Sequence, residues 1–96
     1  MSPLKRKKLN KIRLKLDKLD NSLIKLIKQR TKLVNNVLKL KDKKKEIIDN
    51  KRIKIILRNI RKKSIANKID PKITNRIWKN MIWSYIDYEK RNFKKK

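Results

Sequence analysis

Three cations occupy positions where the helical periodicity of this chain asks for apolar side chains. Leu9, Ile12, Leu16, Leu19, Leu23 and Leu26 recur at steps of three and four, and the stripe resumes at Leu33 and Val37. The seam position between the two runs is Arg30. The slot after Val37 is shared by Leu40 and Lys41, about three turns beyond Arg30 on the same face. Arg52 falls four residues after Ile48 and three before Ile55, inside a second stripe completed by Ile56 and Ile60. A guanidinium cannot shed its charge, so on a buried face it needs an anion or it makes the core costly to form. Arg13 stands beside Ile12 at the stripe edge, Asp49 heads the second segment, and Glu89 lies four after Tyr85 on the third. Arg13, Arg30, Lys41 and Arg52 converging in a helical core would make a small, dry, positive pocket suited to a compact dianion such as a dicarboxylate. No nucleophile, metal cage or imidazole base accompanies them, so catalysis there would come from positioning and electrostatics. The plainer alternative is that each arginine snorkels to solvent or pairs with a carboxylate across the bundle. Only 8 acidic residues face 33 basic ones, which favours the anion site.

The elements that must position these groups are helices. The stripe from Leu9 to Lys41 predicts a first helix that at about 1.5 Å per residue runs roughly 50 Å, too long for a compact monomer of 96 residues. Residues 1–8 form a basic lead-in ahead of it, with a frayed start. Asp17 and Asp20 are simple solvated partners for neighbouring lysines. Residues 42–46 (DKKKE) have no apolar anchor and read as a connection. A second helix follows from Ile47 or Asp49 to Ala66, burying Ile48, Ile55, Ile56 and Ile60. Residues 67–70 make the second connection, and Asp70-Pro71 is a strong helix start, with an aspartate N-cap and proline at the first helical position. The third helix, Pro71 to about Phe93, is expected to bury Ile73, Ile77, Trp78, Met81, Ile82, Tyr85 and Phe93. Residues 94–96 are a basic tail, and cations there suit the helix dipole. The fold class is all-α, one domain over residues 9–93. Two shorter helices cannot cover the long stripe, so a two-fold dimer of long helices is the expected solution.

Composition narrows the function classes. Glycine is absent and only Pro3 and Pro71 occur, which excludes glycine-rich phosphate loops. Without cysteine or histidine there are no disulfides, thiol or imidazole chemistry, or the usual zinc ligands, and neither metal nor cofactor is expected. No uninterrupted apolar run suggests a signal peptide or a membrane span, so a cytoplasmic protein is the default. The net charge of +25 invites a nucleic-acid reading. Heavy joint use of lysine, isoleucine and asparagine is also what an AT-rich genome writes, so the arginines are the more informative cations. Arginine is kept where a planar, bidentate fork is needed.

Ile12-Arg13, Leu16-Asp17, Leu19-Asp20, Leu23, Leu26-Ile27, Arg30, Leu33, Val37 and Lys41, then Asp49-Asn50-Lys51-Arg52, then DPKITNRIWKNMIWSYIDYE, resemble the all-helical chorismate mutase family from about Leu9 to Glu89. The resemblance implies an intertwined homodimer of three-helix subunits with two equivalent sites that rearrange chorismate to prephenate, a step of aromatic amino acid biosynthesis. It implies that Arg30 binds one substrate carboxylate within its own subunit and that Arg13 reaches the other carboxylate from the partner. Lys41 would hold the ether oxygen whose bond breaks, with Glu89 as the second donor to it. Arg52 would serve the enolpyruvyl end and the Asp49 backbone N–H the ring hydroxyl.

Three positions depart from the family pattern. Many bacterial members have glutamine where this chain has Glu89, the residue that the fungal enzymes also have, and a carboxyl donates only when protonated. Ile53 stands where the family usually has a glutamate that receives the ring hydroxyl. Tyr85 replaces a small hydroxyl residue that helps hold a carboxylate, so its own hydroxyl either substitutes or its ring packs. The related isochorismate-pyruvate lyases have an apolar residue at the Ile53 position and an aromatic-rich third helix like MIWSYIDYE, which makes that activity the alternative. The alternative of another class is a basic helical nucleic-acid-binding protein, with Trp78, Trp83 and Tyr85 as stacking residues. Their core-like spacing and the absence of a recognition motif argue for nonspecific binding at most. A catalytically silent regulatory relative is the remaining option.

Overall fold

The computed structural model describes residues 1–94. The described residues form three helices, α1 (Pro3–Leu40), α2 (Asn50–Ala66) and α3 (Pro71–Asn92), with one 3-10 turn at Lys44–Ile47 and no strand. The all-α expectation, long first helix included, agrees with this order. Of the basic tail, Lys95 and Lys96 lie outside the described residues. The chain divides into two units, Met1–Leu33 and Val34–Lys96.

The first unit is helical from Pro3, so the basic lead-in belongs to α1 instead of preceding it. Ser2 is the reason. Its Oγ accepts the Lys5 N–H at 3.2 Å and its carbonyl accepts the Arg6 N–H at 2.9 Å, while Pro3 takes the first helical position, where no partner for an N–H exists. The hydroxyls of Ser22 and Thr31 donate to the carbonyls of Lys18 and Ile27, four residues back, and so are satisfied within the helix. The apolar stripe is another matter. Ile12, Leu16, Leu19, Leu23 and Leu26 are each more than half exposed in the single chain.

The second unit holds the core. Leu38 from the end of α1, Ile47 from the 3-10 turn, and Ile82 and Ile86 from α3 are buried together, with Ile53, Ile56 and Leu57 of α2 packed against them. The spacing of Ile53, Ile56, Leu57 and Ile60 turns one stripe of α2 toward α3. Ile55, expected in that stripe, is instead 42% exposed, because it lies on the flank that this rotation leaves to solvent. Arg52 is exposed on the same flank. On α3, Ile73 and Ile77 are likewise exposed, the buried line running through Trp78, Ile82, Ile86 and Glu89. The missed core members, Leu38, Ile47 and Ile86, are separated by connections that periodicity alone does not bridge.

Two caps fix where α2 and α3 begin. Asp49 accepts the Arg52 N–H at 3.0 Å, and Asp70 accepts the Lys72 N–H at 2.9 Å with Pro71 following. Between the two helices, the Ile69 N–H bonds the Ser64 carbonyl at 2.8 Å and the Lys68 N–H bonds the Ile65 carbonyl at 3.1 Å. This double bond pattern ends α2 and requires a left-handed residue at its centre. Lys68 takes that conformation at φ 56°, a region where a side chain is penalised and glycine is not. Ser64, 3% exposed, donates to or accepts from Thr74 Oγ1 at 2.7 Å and so ties α2 to the start of α3.

Lys68 is exposed, so replacing it removes strain without removing a contact. Lys68→Gly is expected to stabilise the fold by about 0.5–1 kcal/mol, the relief of the left-handed penalty less the added entropy of an unfolded glycine. Urea unfolding checks this through a higher midpoint at constant slope, and an unmoved midpoint would show that the turn carries no strain.

Candidate active site

Lys41 is the first residue after α1, where its N–H still bonds the Leu38 carbonyl at 3.1 Å. With Leu38 anchored in the core one turn earlier, the Lys41 side chain is delivered onto α3. There its Nζ donates to Glu89 Oε1 at 3.2 Å, joining residues 48 apart in sequence. Glu89 comes one turn after the buried Ile86 on the same face, which is why a residue expected at the face's edge is 6% exposed overall. The pair is largely dry, with 17% of the Lys41 side chain and 8% of the Glu89 side chain open to solvent. The two groups assigned to one breaking bond by resemblance are thus in direct contact.

The neighbouring α3 residues form an aromatic frame. Tyr85 and Tyr88 meet edge to face with ring centroids 6.4 Å apart. The Tyr88 hydroxyl donates to Asn35 Oδ1 at 2.8 Å, linking α3 to α1 within the second unit six residues ahead of Lys41. Sequence reading missed this bond, and the only signal was a tyrosine adjoining Glu89. Tyr85 is half-buried, and its ring packs against that of Tyr88.

Asp49, Arg52 and Ile53 lie at the start of α2. Asp49 is exposed, its carboxylate occupied by the Arg52 N–H as the cap of α2. The Arg52 side chain is exposed and Ile53 packs against the core. Arg13 and Arg30 belong to the first unit, Arg13 exposed and Arg30 half-buried. Among the described residues no group of three or more His, Cys, Asp or Glu could hold a metal, and no helix is long and apolar enough to cross a membrane.

A fixed ammonium and a carboxyl that share one dry spot can act together on a single substrate oxygen. The ammonium has three donors, so it can keep the glutamate and still serve a guest. In a low-dielectric setting such donors stabilise charge that develops during reaction far better than water does. The family model for chorismate mutase type II matches residues 12–90 of the chain. No curated protein and no solved structure matches it.

Proposed function

The chain belongs to the chorismate mutase type II family, and from that premise we propose that it rearranges chorismate to prephenate. The observation that carries the reading is the Lys41–Glu89 contact at 3.2 Å. In the rearrangement the ether carbon–oxygen bond breaks while a carbon–carbon bond forms at the ring, with no proton transferred. Negative charge gathers on the ether oxygen in the transition state. Lys41 Nζ and a protonated Glu89 would both donate to that oxygen, interactions that strengthen as the charge builds. Arg30 would hold one carboxylate, Arg13 of a second subunit the other, and Arg52 the enolpyruvyl end. Asp49 would serve the ring hydroxyl through its backbone N–H, and Tyr85 would line the carboxylate end.

A homodimer is part of the proposal. The exposed stripe of α1 supports it, since leaving a row of leucines in water forfeits about 1.5–3 kcal/mol for each side chain that a second copy could bury. A cytoplasmic setting fits a soluble metabolic enzyme of this kind.

Ile53 supports a second reading. An apolar side chain packed on the core replaces the acid that would receive the ring hydroxyl, as in the isochorismate-pyruvate lyases, which eliminate pyruvate in a pericyclic step. Supplying chorismate and isochorismate separately decides between them. Prephenate from the first supports the mutase; salicylate and pyruvate from the second, without prephenate, would replace it.

The Glu89 role has its own signature. Only the protonated carboxyl has a hydrogen to donate, so turnover is expected to fall as pH rises. Glu89→Gln, an amide that donates at any pH, should flatten that decline. A kcat profile with the same alkaline fall in the variant would remove Glu89 from the ether oxygen.

A further inference from the structure

The outer face of α2 is a row of cations that the catalytic reading does not use. Asn50–Ala66 contains no acidic side chain. Lys51, Lys54, Arg58 and Arg61 recur at steps of three and four and so share one face, opposite the stripe of Ile53, Ile56 and Ile60, with Lys62 beside them. All five are exposed, and none is in an ion pair among the described residues. Like charges three and four apart destabilise a helix by a few tenths of a kcal/mol per pair, a cost the helix carries with no acid to offset it. Lysine here could reflect composition alone, but two of the positions are arginine in a chain that otherwise favours lysine. The guanidinium fork matches phosphate in a way an ammonium does not.

We propose that this face of α2 binds the phosphate backbone of a nucleic acid strand. The row extends about 15 Å along the axis, enough to lie against several successive phosphates of one strand. A membrane surface fits less well. Basic helices that lie on lipid sink an apolar face between the acyl chains, whereas the apolar face of α2 is packed against α3 and the core. An uninterrupted row of one sign also suits a uniform polyanion better than a protein surface of mixed charge. The contact would be independent of base sequence, since no element among the described residues presents a groove-reading motif.

The test must separate this face from the charge of the whole chain. Anisotropy of a labelled single-stranded RNA is titrated with the full chain over a series of salt concentrations. Two variants with equal charge loss are compared with it: Lys51→Gln, Lys54→Gln, Arg58→Gln and Arg61→Gln together, and Lys11→Gln, Lys18→Gln, Lys25→Gln and Lys32→Gln together. The second set removes exposed lysines of α1. The α2 variant is expected to weaken binding at least tenfold and to lower the salt slope by about 3, at roughly 0.7 per lost phosphate contact on a single strand. The α1 variant should keep most of the slope. Equal losses in the two variants, or no binding by the unmodified chain at low salt, would overturn the proposal. So would phosphatidylserine vesicle binding that the α2 variant alone loses while its RNA binding is unchanged. Circular dichroism of both variants establishes that the helices are intact.

Discussion

Lys41→Met is expected to lower kcat by about 10²–10³-fold, the usual loss when one donor to a developing oxyanion is removed. The thioether fills much of the volume of the lysine stem but offers no hydrogen and no charge. Because the lost interaction belongs mainly to the transition state, KM should move much less than kcat. The structure adds a second consequence. Glu89 would be left in a site where 8% of its side chain reaches solvent, without the ammonium that faces it at 3.2 Å. In the empty site, where Glu89 is the ion-pair partner of Lys41, leaving its carboxylate alone is destabilising, on the order of 3 kcal/mol. Adding Glu89→Gln to Lys41→Met removes the orphaned charge, so the double variant should recover stability and stay slow. Loss of chorismate absorbance measures the first effect and urea unfolding the second. A Lys41→Met protein that turns over at the parent rate would end the catalytic reading outright.

Leu19→Glu combined with Leu23→Glu is expected to yield a monomer with activity at background. Both leucines are more than half exposed in the single chain and lie in consecutive turns of the α1 stripe. A charge on that stripe costs nothing in a free helix but must be desolvated if two stripes are pressed together. Sedimentation measures the association state, and parallel assays measure turnover. The crossing of Arg13 into the partner's site has a sharper consequence. Arg13→Ala and Arg30→Ala should each be inactive, yet a mixture refolded together should regain about a quarter of full activity, since heterodimers hold one site with both arginines. No recovery on mixing would place both arginines in one subunit's own site. A parent chain that is monomeric and fully active would remove the dimer altogether.

The local signals were the most legible part of the chain. Asp49 and Asp70-Pro71 mark helix starts through hydrogen bonds that form within a few residues, and both caps are present at the expected positions. Lys41 and Glu89 could be brought to one place only through the family pattern, because periodicity assigns a face to each helix without saying which faces meet. The same limit explains Ile55, Ile73 and Ile77, apolar residues one flank away from the line that packs. Leu38, Ile47 and Ile86 join the core from three different elements. Ser2 was hidden in a basic stretch, although Ser-Pro is itself a helix-start signal. Tyr88 with Asn35, and Ser64 with Thr74, are partnerships between single polar side chains on separate helices, and no spacing rule anticipates them.

Lys68 carries a consequence that reaches back to the nucleotide level. Every glycine codon opens with two guanines, while lysine is written in adenine alone or with one closing guanine. A chain with no glycine and abundant lysine is what base composition drifting toward adenine and thymine produces. Where a composition without glycine puts another residue at a left-handed turn, the fold carries a small cost in stability. The turn after α2 is where that cost can be read from a backbone angle, and where one substitution, Lys68→Gly, would remove it.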